Sequence, residues 1–77
     1  MTLRRWFPPG PVVVCLTSGK VFRGMGRAER GWVILTDVDR LADNGNSPVR
    51  GELRVPGTQI EFLQLLPATM AATNGAP

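Results

Sequence analysis

The sequence predicts an all-β fold: a small, strongly bent, five-stranded antiparallel barrel between an N-terminal arm and a flexible C-terminal tail. Three observations predict it. Apolar runs such as "PVVVCLT", "WVILTDV" and "TQIEFLQLL" are rich in β-branched residues, have strand length and are short for core helices. Gly, Pro, Asn and Asp clusters punctuate them at short intervals. Gly24 and Gly26 share one face of a predicted strand, and two such glycines permit the bend that lets a short sheet curl.

Residues 1–11, "MTLRRWFPPGP", form the arm, because Pro8, Pro9 and Pro11 forbid a helix beyond a turn or two. Trp6 and Phe7 are expected to anchor it on the domain; the other reading is an exposed aromatic–arginine hook. The barrel domain occupies residues 12–67. Its first strand, "PVVVCLT", sends Val12, Val14 and Leu16 to one face and Val13, Cys15 and Thr17 to the other. "SGK" turns the chain into a second strand, "VFRGMGR", and "RAERG" into a third, "WVILTDV", apolar enough at its start to be covered on both faces. "DRLADNGNSPVRG" is the longest break and reads as a solvent loop. The short fourth strand, "ELRV", turns Leu53 and Val55 inward and Glu52 and Arg54 outward.

Val55-Pro56-Gly57-Thr58 has the pattern of a type II turn, with proline presetting φ at the second position and glycine accepting φ > 0 at the third. The fifth strand, "TQIEFLQLL", sets Ile60, Phe62 and Gln64 against Glu61, Leu63 and Leu65. Neither face is cleanly polar. A strand of this kind left at a sheet edge invites pairing with another chain, so Leu53, Val55, Ile60, Phe62, Leu63 and Leu65 are the expected oligomer interface. Residues 68–77, "ATMAATNGAP", lack periodicity and form the tail.

Size and composition point the same way. A chain of 77 residues is one domain that buries roughly 60% of its unfolded surface, which leaves it in need of further support. Cys15 is the only cysteine and there is no histidine, so an internal disulfide is excluded and a structural zinc site disfavoured. Oligomerisation remains. The net charge of +3 owes two arginines to the arm, Arg4 and Arg5; residues 12–67 hold seven basic and six acidic side chains. The barrel is therefore close to neutral, and the basic balance alone does not demand a polyanionic partner.

Catalysis finds no support, with no histidine, no tyrosine and no serine or cysteine beside an evident base. No cofactor or metal is expected: Asp37, Asp39 and Asp43 lack the spacing of a calcium loop and read as turn and cap residues. No apolar run approaches the ~20 residues needed to cross a bilayer. The run before Cys15 is too short and proline-bounded for a signal peptide, so the expected location is cytoplasmic, with no membrane partner.

Two segments resemble the motifs of the Sm/LSm-like small β-barrel family. "VVVCLTSGKVFRG" is similar to the first, through Leu16, Gly19, Phe22 and Gly24, and "RVPGTQIEFL" to the second, through Val55, Gly57 and Ile60. Among SH3-like, OB and Sm-like barrels, the resemblance favours the Sm-like one and covers residues 12–66. It implies a closed homo-oligomeric ring in which the fourth strand of one subunit pairs with the fifth of the next, and RNA bound around its pore. The family's base pocket uses an Asp and an Asn near the start of the third strand, and a basic residue and an Asn in the second motif. This chain has no Asp-x-x-x-Asn there, carries Pro56 in place of the basic residue and Thr58 where the Asn often stands. A specific uridine pocket is therefore not expected.

What remains for RNA or single-stranded nucleic acid is Arg23, Arg27, Arg30, Arg50 and Arg54, with Thr58 in the second motif and Trp32 as a stacking surface. The same residues also fit a solvated face around a core tryptophan. A weaker likeness, in overall cadence, is to small barrels of phages and mobile elements. It supports an alternative: a structural or adaptor protein that uses its barrel edges for protein–protein assembly.

Overall fold

The computed structural model describes residues 7–67; Trp6, the arginines of the arm and the tail 68–77 lie outside the described residues. Within them the chain forms β1 (Gly10–Leu16), β2 (Val21–Glu29), β3 (Trp32–Leu41), β4 (Ser47–Val49), β5 (Leu53–Pro56), a 3-10 turn (Gly57–Gln59) and β6 (Ile60–Leu65). Every pairing is antiparallel. The strands follow the order β4-β3-β2-β1-β6, and β5 pairs with the first part of β3 while β4 pairs with its last part.

Alternation explains the core. Val12 and Val14 of β1, Phe22 of β2, and Val33, Leu35 and Val38 of β3 fill the inside, joined by Phe7 from the arm. Each fully buried apolar side chain of this kind contributes about 1.5–3 kcal/mol. Leu16, Leu53, Ile60 and Leu63 pack against this cluster while remaining partly exposed. Phe7 thus anchors the arm, as expected of it.

The bend is made where Gly24 and Gly26 were expected to make it. A Cβ on Gly24 would meet the Thr36 carbonyl oxygen at 2.7 Å, and one on Gly26 would meet Val12 Cγ2 at 2.7 Å. The β2–β3 register slips between Arg23 and Met25. Across from the slip, Asp37 adopts a φ of 52°, so β3 carries the extra residue of a bulge and kinks there.

Several boundaries differ from the sequence expectation. The sheet begins at Gly10, because the proline-flanked residues at the end of the arm are already extended and Gly10 pairs with Gly26. The second turn contracts to Arg30–Gly31, since Ala28 and Glu29 continue the ladder to Val33 and Trp32. β3 runs on to Leu41, and the expected solvent loop contains β4, which pairs Ser47–Val49 with Val38–Arg40. Six strands result instead of five.

The type II turn is not formed. Pro56, the last residue of β5 and opposite Trp32, has the φ of −67° and ψ of 139° that such a turn asks of its second residue, but Gly57 lacks the positive φ asked of the third and opens a 3-10 turn instead. That turn is fixed at both ends. The Gly57 amide donates to the Gly31 carbonyl at 2.8 Å, and the Thr17 amide donates to the Gln59 carbonyl at 2.9 Å.

Candidate nucleic-acid interface and sheet edges

The β2–β3 hairpin has a two-residue loop between Glu29 and Trp32, with φ of 51° at Arg30 and 84° at Gly31. Positive φ at both central residues is the signature of a type I′ turn, whose twist matches the strands it joins and which favours Asn-Gly. Arg30 occupies the position where a side chain is strained, and it carries a guanidinium at the tip of the hairpin. The Gly57–Gly31 hydrogen bond brings the segment Pro56-Gly57-Thr58 against this tip. Arg30, Trp32 and Thr58 are thereby gathered at one end of the barrel.

Arg27 and Arg54 lie one row further along. In register, Arg27 of β2 opposes Ile34 of β3, which opposes Arg54 of β5. By alternation all three share the face opposite Val33 and Leu35, where Ile34 is nonetheless fully buried while Arg27 and Arg54 are largely exposed. Trp32 shares that outer face and is 45% exposed. It is not a core tryptophan.

Arg23 and Arg50 are placed elsewhere. Arg23 belongs to the far end of β2 and pairs with Asp39 across the ladder at 3.3 Å, and Arg50 follows β4. The seven nucleic-acid candidates thus divide into five near the hairpin tip and two near the opposite end of β3.

Carboxylates temper the positive field. Arg54 Nε lies 2.6 Å from Glu52 and Arg27 Nε 3.9 Å from Glu29. These pairs are exposed, and such pairs contribute about 0–1 kcal/mol, so a phosphate can compete for the guanidinium. Among the described residues, Arg30 and Arg50 enter no ion pair. Glu29, Asp39 and Glu52 were absent from the sequence-derived set, and Asp39, read from the sequence as a turn or cap residue, lies within β3; spacing of two residues from an arginine on one strand would have found Glu29 and Glu52.

Among the described residues the sheet is open on two sides: β6 pairs only with β1, and on the other side β4 and β5 each pair only with β3. On β6, Phe62 is 56% and Leu65 49% exposed. Leu53, Ile60 and Leu63 are half-buried beside these edges. Val55 opposes Val33 and is only 4% exposed, so its side chain packs within its own protomer and its backbone is what lies at the β5 edge.

Among the described residues no group of three His, Cys, Asp or Glu side chains is placed to hold a metal ion. No helix among them is long and apolar enough to cross a membrane.

No protein-family model matches the chain, and neither does any curated protein. Solved structures do. A heptameric archaeal Sm protein aligns with a TM-score of 0.65 at 25% identity, over 75% of this chain and 87% of its own. The P. aerophilum SmAP1 heptamer gives the same score and identity, over 75% of this chain and 80% of its own. With the antiparallel bent sheet and the two motif glycines at its turn and bend, this correspondence gives the chain an Sm-like fold.

Proposed function

We propose that this chain is a non-catalytic Sm-like scaffold that assembles head to tail into a closed homo-oligomer and binds RNA or other single-stranded nucleic acid weakly through arginines. The observation that carries the assembly is the pair of open edges, β5 and β6, with Phe62 and Leu65 exposed on the latter. An unpaired apolar edge is an aggregation hazard in a monomer, and a neighbouring copy that pairs with it removes the hazard at both edges at once. The heptameric state of the two similar proteins supports a ring. In this reading residues 12–67 are the assembling unit, residues 1–11 an arm and 68–77 a tail, all in the cytoplasm.

The nucleic-acid part rests on the gathering of Arg27, Arg30, Trp32, Arg54 and Thr58 near one hairpin tip. Pro56 opposes Trp32 and offers neither charge nor N–H, so binding is expected without a uridine-specific pocket. The test is light scattering behind size exclusion, with and without a short oligo-uridine. A closed oligomer whose mass rises with the oligonucleotide supports both parts.

One observation favours a second reading. Three of the five candidate arginines already face carboxylates, leaving the barrel nearly neutral. A structural or adaptor protein of a phage or mobile element, built for protein assembly alone, would form the same oligomer and ignore the oligonucleotide.

A further inference from the structure

An open antiparallel sheet usually keeps one face apolar and the other polar, and the sheet of β6, β1, β2 and the last part of β3 departs from that division. Val12, Val14 and Phe22 take its inner face into the core. On the opposite face the register aligns Phe62, Cys15, Val21 and Leu41 in one row across the strands. Gln64, Val13, Arg23, Asp39 and Pro48 form the next, and Pro11, Met25 and Thr36 a third. Most of these side chains are apolar, Met25 is 46% exposed, and the described residues supply no helix or further sheet to cover them. Arg23 and Asp39 form an ion pair in the middle row, 3.3 Å apart, with side chains 42% and 38% exposed.

We propose that this face docks on the same face of a second copy, so that two closed assemblies stack through it. The stack rests on the ring closure proposed above and goes beyond it. Self-complementarity points to that occupant. A two-fold axis parallel to the strands and midway between β2 and β3 lays β2 of one copy over β3 of the other. Arg23 of each copy then faces Asp39 of the other, and Val21 faces Leu41, the reciprocity of an isologous contact. Facing sheets lie about 10 Å apart with strand directions within about 30°, a gap that an arginine and an aspartate span together. Area sets the order of assembly. Four strands over a length of five residues amount to roughly 300 Å² at about 4.8 Å per strand and 3.4 Å per residue, against about 800 Å² per partner in a stable pair. One protomer therefore does not hold another by this face alone, whereas several copies of the face on one closed assembly act together. Stacking follows closure.

Native mass spectrometry of the full chain and its variants tests the stack. The full chain is expected at an even number of protomers. Met25→Glu places a carboxylate in the apolar contact and should bring the mass down to half while leaving the ring closed. The paired exchange Arg23→Asp with Asp39→Arg keeps an ion pair within each copy, so the fold is retained, and it restores the pairs between like copies. That variant should stack on itself at the full mass. Mixed at low salt with isotope-labelled wild type, it should form no stack with one layer from each, because charges of the same sign then meet across the contact. Labelled and unlabelled wild type should form such hybrids freely. An odd number of protomers in the full chain, a Met25→Glu variant that keeps the full mass, or hybrids of wild type with the exchange variant as abundant as those of wild type with itself would overturn the stack and leave ring closure standing. A full chain at the protomer mass overturns both.

Discussion

The amide of Gly57 donates to the carbonyl of Gly31 at 2.8 Å, joining the turn after β5 to the tip of the β2–β3 hairpin. This contact extends the β3–β5 ladder by joining two segments far apart in sequence, and both sides depend on local conformation. Gly31 holds a φ of 84°, where an L side chain costs about 1–2 kcal/mol. Gly31→Ala is expected to lose about that much stability in urea unfolding.

Arg30 gives the converse prediction. With φ of 51° it occupies the first central position of a type I′ turn, where asparagine is preferred. Arg30→Asn should raise stability by about 0.5–1 kcal/mol by relieving the left-handed strain. If the guanidinium serves nucleic-acid binding, the same variant weakens that binding and lowers its salt dependence. A stability gain with unchanged affinity would remove Arg30 from the site.

The two bend glycines should not respond alike. A Cβ on Gly24 meets backbone, the Thr36 carbonyl, whereas one on Gly26 meets the side chains of Val12 and Leu35. Side chains yield more readily than a bulged backbone. Gly24→Ala is expected to cost about 2–3 kcal/mol and Gly26→Ala about 1–2 kcal/mol, within the range seen for overpacking. Thermal melts of the two variants check the order.

Phe7 lies outside every strand, yet it is buried among Val12, Val14, Phe22 and Leu35 in the core cluster. Its truncation leaves a cavity that a domain this small fills poorly. Phe7→Ala should cost about 3–5 kcal/mol, close to the whole stability of a domain of this size. Far-ultraviolet circular dichroism and a urea titration reveal whether the variant still folds.

Much of the fold was legible because it follows from alternation. The pattern at Val12, Val14, Phe22, Val33 and Leu35 defines one inner face, and Gly24 with Gly26 marks the bend. β4 was not legible, because "NSPV" carries the composition of a loop and pairs only through the reach of β3 beyond its bulge. The Pro-Gly signal was half right: Pro56 takes the expected conformation, but Gly57 does not use positive φ, and its amide is instead held by the Gly31 carbonyl. At the candidate site, the arginines were visible as residue types. Their grouping depended on the β3–β5 register, which couples Ile34 to Arg54 over twenty residues of sequence. Val55 was read as inward-facing, and it packs inward against Val33; it was counted at the interface because its strand is an edge.

The central claim is that the open β5 and β6 edges are closed by further copies of the chain. Absolute mass by multi-angle light scattering tests it most directly, on the full chain and on Leu65→Asp. The account predicts a discrete multiple of 8.4 kDa that persists at high salt, because apolar burial and backbone pairing are not screened, and that falls to the protomer mass in Leu65→Asp. A full chain that elutes at 8.4 kDa at micromolar concentration, or a Leu65→Asp variant that keeps the full assembly, would contradict it.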